Sequence, residues 1–264
     1  MMNPIEEYYG KFNEEKRLNS RHGQVEYLVT MKYADECLDI LAGDDPGKKI
    51  RILDIGAGTG RYAVPLVERG YEVTAVEPVK HNLKRMQKKS DKLVCLQRDA
   101  RKLKGLENES FDLTLMLGPM YHLFSYEDKL KALNEAARVT KLGGYILVGY
   151  CMNEYAVVTY ALNEGHFSEC LDTGRFDESF HTISEEKDIY DYVRVEDIDR
   201  LKEGSRLSRY KLISPDGPTN YIRKTLKGLT ESEFERYVDY VASIAERADL
   251  IGAAAHTVDI LIKK

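Results

Sequence analysis

The segment Arg51-Ile52-Leu53-Asp54-Ile55-Gly56-Ala57-Gly58-Thr59-Gly60-Arg61 reads as a strand running into a glycine-rich turn that opens a helix. Glycines let the backbone approach a ligand closely and adopt positive φ, and the first turn of a helix offers unpaired N–H groups to a carboxylate or phosphate. Glu77 follows 21 residues after Gly56, at the predicted end of the second strand. A carboxylate there accepts both hydroxyls of a ribose. Strand, turn, helix, strand and acid in that series predict a nucleotide-like ligand. Asp54, immediately before the turn, suits a ligand bearing an ammonium group and a cationic sulfur, and repels a pyrophosphate. The run Gly58-Thr59-Gly60-Arg61-Tyr62-Ala63 also matches the dinucleotide pattern GxGxxA, so an NADP-dependent oxidoreductase stands as the rival.

These residues need a frame to hold them. Short apolar runs at 50–55, 71–76 and 93–97 alternate with helical patterns at 60–69 and 79–89, and the series continues with a strand at 111–117, a helix at 126–140 and a strand at 145–150 after a Gly143-Gly144 turn. This rhythm predicts an α/β fold, a parallel sheet covered by helices. A leading helix spans 24–41, where Val25, Leu28, Met31, Leu38 and Leu41 recur at roughly helical spacing. The stretch 152–188 is polar and aromatic with little periodicity and reads as an insertion above the sheet. A helix at 195–202, a strand near 207–213 and a strand at 256–262 complete the core. Between the last two strands, Thr230 and Glu233 form a capping box ahead of a helix striped by Phe234, Tyr237, Val238, Val241 and Ile244. The expected division is 1–48 as a helical segment closing over the site, 49–150 as the ligand-binding core, 151–192 as a cap, and 193–264 as the rest of the core with an added helix.

The residues that carry these signals resemble those of the class I S-adenosylmethionine-dependent methyltransferases, and the resemblance covers essentially the whole chain. Residues 53–60 look like that superfamily's first motif, Ala75-Val76-Glu77-Pro78 like its ribose-binding strand end, and Arg98-Asp99-Ala100 like its adenine-binding acid. Phe111-Asp112-Leu113 and Gly143-Gly144-Tyr145 match its fourth and fifth strands. Leu117-Gly118-Pro119-Met120-Tyr121-His122-Leu123 is similar to a bacterial group known only as methyltransferases. The resemblance implies a Rossmann-like, doubly wound, mostly parallel seven-stranded sheet and S-adenosyl-L-methionine as cofactor. It further implies that Gly56, Ala57 and Gly58, preceded by Asp54, line the methionine portion. Glu77 and Pro78 would lie at the ribose, Asp99 and Ala100 at the adenine, and Leu117 would add a backbone contact.

In such a sheet ligands bind beyond the carboxyl ends of the strands at the switch point, here between the first and fourth strands, so residues 118–123 face the methyl group. Methyl transfer is an in-line displacement, and the protein's main tasks are to hold the acceptor and exclude water. His122 is the candidate general base and Tyr121 the candidate orienting group; both also suit a packed wall. The remaining histidines, His22, His81, His166, His181 and His256, lack metal-ligand spacing and read as surface or packing residues, and no metal is expected.

Composition narrows the partner. The 264 residues carry 39 basic and 44 acidic side chains, a formal charge of −5, split as +2 over residues 1–150 and −7 over 151–264. No basic groove is expected, which argues against nucleic acid and for a small-molecule methyl acceptor, enclosed by the aromatics Tyr155, Tyr160, Phe167, Phe176 and Phe180 of the insertion. An RNA methyltransferase and a non-catalytic cofactor-binding regulator stand as further alternatives. The most apolar stretch, 111–124, is too short to span a bilayer. The four cysteines show no CxxC spacing and read as packing residues in a reducing cytoplasm. Tyr8 and Tyr9, followed by Glu14, Arg17, Arg21 and His22, are expected to fold over the cofactor. The oligomeric state is left open.

Overall fold

The computed structural model describes residues 20–45, 47–185 and 187–264. Seven strands form one sheet in the order β3-β2-β1-β4-β5-β7-β6. In chain order these are β1 (Arg51–Ile55), β2 (Glu72–Val76), β3 (Val94–Leu96), β4 (Phe111–Met116), β5 (Thr140–Cys151), β6 (Ser208–Ile213) and β7 (His256–Ile262). β7 is antiparallel to both β5 and β6, and the other pairings are parallel. The sheet is therefore the mostly parallel, doubly wound, seven-stranded one that the resemblance implies, and its parallel part is what the alternation of apolar runs predicts. Its central strand β4 is buried along its whole length, as a strand with helices on both faces must be.

Helices segregate by face because strand side chains alternate. On one face Ile52, Leu115, Leu147 and Ile260 meet α1 (Arg21–Ala42), α2 (Ala63–Glu68) and α3 (Lys80–Gln87). On the other, Leu53, Met116, Ile146 and Leu261 meet α4 (Tyr126–Val139). The short α5 (Asn153–Ala156) and α6 (Phe167–Asp172) lie in the insertion, and α7 (Val195–Ser205) shares the α4 face through Ile198 and Leu201. The α8 turn (Arg223–Leu226) leads to α9 (Glu231–Ile244) and α10 (Ala248–Ile251). Local signals set several ends. Ser20 accepts a hydrogen bond from the Gly23 N–H at the start of α1, and Ser125 does the same for Asp128 at the start of α4. The Thr230/Glu233 capping box is closed in both directions.

Some expected details differ. The helix expected from residue 60 starts at Ala63, because the turn continues through Tyr62. Gly143-Gly144 is not a turn ahead of a strand but lies inside β5, where the β4–β5 register shifts between Phe111 and Leu113. The insertion is more regular than its lack of periodicity suggests: α5 runs into a π-helical stretch, Val157–Asn163, and then α6. Its aromatics pack on one another, with Phe167, Phe176 and Phe180 centroids 6.1–6.2 Å apart and Tyr160 stacked on His166. They pack as a partly exposed cluster of the insertion, with Tyr160 and Phe180 about half-exposed. Phe234 and Val241 of α9 join the core under α1. Tyr8, Tyr9, Glu14 and Arg17 lie outside the described residues.

Gly60 has φ +90°, and a Cβ there would stand 2.7 Å from Val64 Cγ2 and 3.0 Å from Met86 Cγ. Gly60→Ala is expected to lower unfolding stability by about 2–5 kcal/mol, combining left-handed strain with overpacking, as measured by urea denaturation.

Candidate functional site

The order in which the chain adds strands reverses between the parallel neighbours β1 and β4, and the turns leaving the carboxyl ends of these two strands touch. A Cβ on Gly56 (φ +73°) would lie 2.8 Å from the Pro119 ring, and one on Gly118 would lie 3.2 Å from the Gly56 carbonyl. The Gly56 and Ala57 N–H groups both donate to the Val76 carbonyl, at 2.8 and 3.0 Å. Glu77, buried at the end of β2, accepts from the Gly58 N–H at 2.8 Å and from the Val79 N–H at 2.9 Å. One carboxylate thus braces the glycine turn against the β2–α3 connection. Beside it, a Cβ on Gly58 would meet no atom within 4 Å, so the turn opens onto space.

Asp54 lies at the same edge, 2% exposed, and its Oδ2 has no hydrogen-bond partner among the described residues. Burial pushes its carboxyl up to about 7; a hydrogen bond from the Ala63 backbone opposes this, and the negative charge of Glu77 adds to it. A buried carboxylate oxygen with no donor is costly unless something positive meets it.

After β4, residues Pro119–His122 form one 3₁₀ turn. The Tyr121 hydroxyl lies against Gly118, 3.7 Å from where a Cβ would stand, and so close to the junction of the two turns. His122 engages the Ile189 carbonyl through Nδ1 at 2.7 Å; as the carbonyl can only accept, Nδ1 carries the proton. Burial pushes the ring down to about 4, so the imidazole is neutral at pH 7.

Sequence reasoning missed what holds this turn. Residues 189–193 run over it as a strap, with the Asp191 N–H donating to the Tyr121 carbonyl at 2.8 Å and Tyr190 packing on both rings, 5.6 Å from Tyr121 and 5.5 Å from His122. Lys129 of α4 is buried, pairs with Asp191 at 2.5 Å and also donates to the Leu123 carbonyl. A lysine in the polar stretch of a surface-type helix pattern carries no signal of this. The pairing spans 62 residues and exists only in the fold.

Asp99 sits apart from this cluster in character. Its Oδ1 accepts from the Arg101 N–H and Nε, its Oδ2 pairs with Arg101 Nη2 at 2.7 Å, and these bonds hold its carboxyl below the usual range. It is a turn former bound to its own neighbour, about half-exposed. Pro78 joins Glu77 to the β2–α3 connection, its carbonyl taking a bond from Gln97, while Ala100 is buried and Leu117 packs on the α1 face. Cys37, Cys151 and Cys170 are buried, as packing residues are.

Comparison with known proteins agrees with this arrangement. Residues 53–148 match the family described as methyltransferase domain. Over these residues the chain is similar to methyltransferase domains. It is 34% identical over 112 residues to an uncharacterised methyltransferase of Mycobacterium bovis, a match spanning 42% of this chain and 43% of that protein, less than half the length of each. It is 25% identical to a ubiquinone biosynthesis O-methyltransferase of Roseobacter denitrificans over 83% of this chain and 88% of the other. A methyltransferase structure from Thermotoga maritima shares the fold over the full length of both chains, with a TM-score of 0.57 at 22% identity.

The cofactor that this likeness implies is S-adenosylmethionine, and the residues present fit it: the orphaned Asp54 oxygen suits its ammonium and sulfonium charges, and the space beside Gly58 admits a ligand against bare backbone. Asp54 must be ionised to attract a cation. Cofactor affinity is therefore expected to weaken as pH falls below about 7, by up to about tenfold per pH unit, and Asp54→Asn to flatten that dependence, as followed by calorimetry. Removing one partner of the buried pair in Lys129→Ala is expected to cost about 3–5 kcal/mol, and the paired change Lys129→Met with Asp191→Leu much less, as measured by chemical denaturation.

Proposed function

We propose that this chain transfers the methyl group of S-adenosylmethionine to an oxygen or nitrogen of a small-molecule acceptor by in-line displacement. The observation that carries the reading is Asp54, a buried carboxylate with an unpartnered oxygen one residue from the glycine turn, at the reversal point of the sheet. When bound, the cofactor supplies an electrophilic methyl on a positively charged sulfur. Gly56, Ala57 and Gly58 line the methionine end, Asp54 offsets its positive charge, Glu77 and Pro78 meet the ribose, and Asp99, Ala100 and the Leu117 backbone meet the adenine side. Asp99 reaches the ligand only while still bound to Arg101.

Tyr121 and His122 wall the acceptor where the turns after β1 and β4 meet. The tyrosine hydroxyl orients the nucleophile by hydrogen bonding. His122, neutral and titrating near 4, acts as a weak base and as a hydrogen-bonding wall, which suffices for an acceptor that is nucleophilic without full deprotonation. The strap at 189–193 keeps both rings in place and keeps water from the reacting atoms. The acidic balance of residues 151–264 supports a small acceptor over a nucleic acid.

Calorimetric titration with S-adenosylmethionine, S-adenosylhomocysteine and NADPH tests the reading. The first two are expected to bind and NADPH not to. Glu77→Ala is expected to weaken them by at least about 1 kcal/mol, the scale of a charge-assisted hydrogen bond. Binding of NADPH alone overturns the reading.

A further inference from the structure

A strongly basic stretch of the chain surrounds a free edge of the sheet. Residues 80–104 hold ten basic and two acidic side chains, a formal charge of +8 in a chain whose total is −5. Of the two acids, Asp99 is committed to Arg101. Six lysines, Lys80, Lys84, Lys88, Lys92, Lys102 and Lys104, are exposed and form no ion pair among the described residues. Elsewhere Lys129, Lys141, Lys211 and Lys263 each meet a carboxylate. The positive charge of this stretch is therefore left for something outside it.

The stretch is built around β3, which ends the sheet. β3 pairs with β2 on one side, and among the described residues no strand pairs with it on the other. An edge strand presents backbone N–H and C=O groups to whatever lies outside it. Side chains of β3 alternate, with Cys95 on the α1 face and Leu96 on the α4 face, and Val94 is 53% exposed. The cations divide in the same way. α3 packs on the α1 face through Leu83 and Met86 and carries Lys80 and Lys84, with Lys88 just past its end. The segment after β3 packs on the α4 face through Ala100 and Leu103, and Lys102 and Lys104 flank that leucine.

An open strand edge with unneutralised cations on both sides fits one kind of occupant. A strand laid against β3 points successive side chains to opposite faces, so carboxylates at neighbouring positions reach the α3 lysines and the Lys102/Lys104 pair in turn. The same charge repels β3 of a second copy and so keeps the edge from pairing with itself. Residues 79–110 contain no Phe, Tyr or Trp, which leaves a single-stranded nucleic acid no ring to stack on. A flat anionic bilayer meets the lysines of one face of the sheet at a time.

We propose that the β3 edge is a docking site for an acidic extended segment of another protein, which adds as a further strand outside β3. Backbone hydrogen bonds supply the pairing, and the lysines on the two faces select an acidic sequence. None of the six lysines is among the residues proposed to meet cofactor or acceptor.

The test measures, by fluorescence anisotropy at low salt, binding of the full-length protein to a labelled peptide, Glu-Glu-Val-Thr-Val-Glu-Glu. The peptide is expected to bind at least about tenfold more tightly than its neutral counterpart with Gln in place of Glu, and to be released as salt rises. A version N-methylated on the Val-Thr-Val backbone keeps the charge but cannot pair as a strand, and is expected to lose at least about tenfold. Lys84→Glu with Lys88→Glu, and separately Lys102→Glu with Lys104→Glu, are each expected to weaken the acidic peptide by at least about tenfold. Both variants are expected to melt no lower than the wild type, because they relieve like-charge repulsion. Equal affinity for the acidic and neutral peptides, undiminished binding of the N-methylated one, or binding that survives either double reversal overturns the inference. Absence of acidic-peptide binding also overturns it, whether or not an RNA duplex or phosphatidylglycerol vesicles bind in its place.

Discussion

The contact between the turn after β1 and the turn after β4 is the constraint on which the site depends. Gly56 and Gly118 bring two backbones together with no side chain between them, and the Pro119 ring closes the gap. The strand order makes this meeting unavoidable. The chain winds outward from β1 to β3, then crosses back to lay β4 on the other side of β1. At that reversal the connections diverge to opposite faces, leaving a crevice at the carboxyl edge. On the proposed reading cofactor residues come from one turn and acceptor residues from the other, so a shift of either moves both halves of the reaction apart. Small misplacement is costly in a displacement that depends on alignment.

Electrostatics at this edge follow a single logic. Asp54 and Glu77 provide two carboxylates near the glycine turn, while burial keeps His122 on the facing wall neutral against the opposing pull of its Nδ1 hydrogen bond to the Ile189 carbonyl. His122 therefore adds no positive charge at this wall. The one buried lysine close by, Lys129, is committed to Asp191 and the Leu123 carbonyl. Its role is to fasten the 189–193 strap over Tyr121 and His122, a structural use of charge in which the fold places both partners.

Much of the fold was legible in the residues. Apolar runs bounded by Gly and charged residues became β1, β2 and β4, and β7 spans the residues that the apolar pattern marks. The capping box at Thr230 starts α9 as its pattern implies. The insertion was opaque because its order comes from aromatic contacts among Phe167, Phe176 and Phe180, not from a repeating stripe. The glycine turn was legible because its residues are contiguous and their backbone demands are local. Tyr121 and His122 could be placed by topology, but His122's charge state could not, since it is set by burial under the strap.

The sequence by itself determined the class of architecture, the position of the glycine turn and the acids that flank it. Each of these is written in nearest-neighbour chemistry: alternation, a positive-φ requirement, a carboxylate at a strand end. Only the tertiary structure decided which distant charges meet. It joined Lys129 to Asp191, bound Asp99 to Arg101 while leaving Asp54 without a donor, and gathered Glu26, Asp216 and His256 at one edge. The physical reason is that the cost and value of a charge depend on desolvation and on partners brought in from elsewhere in the chain. Neither is set by the residue's own neighbours in sequence.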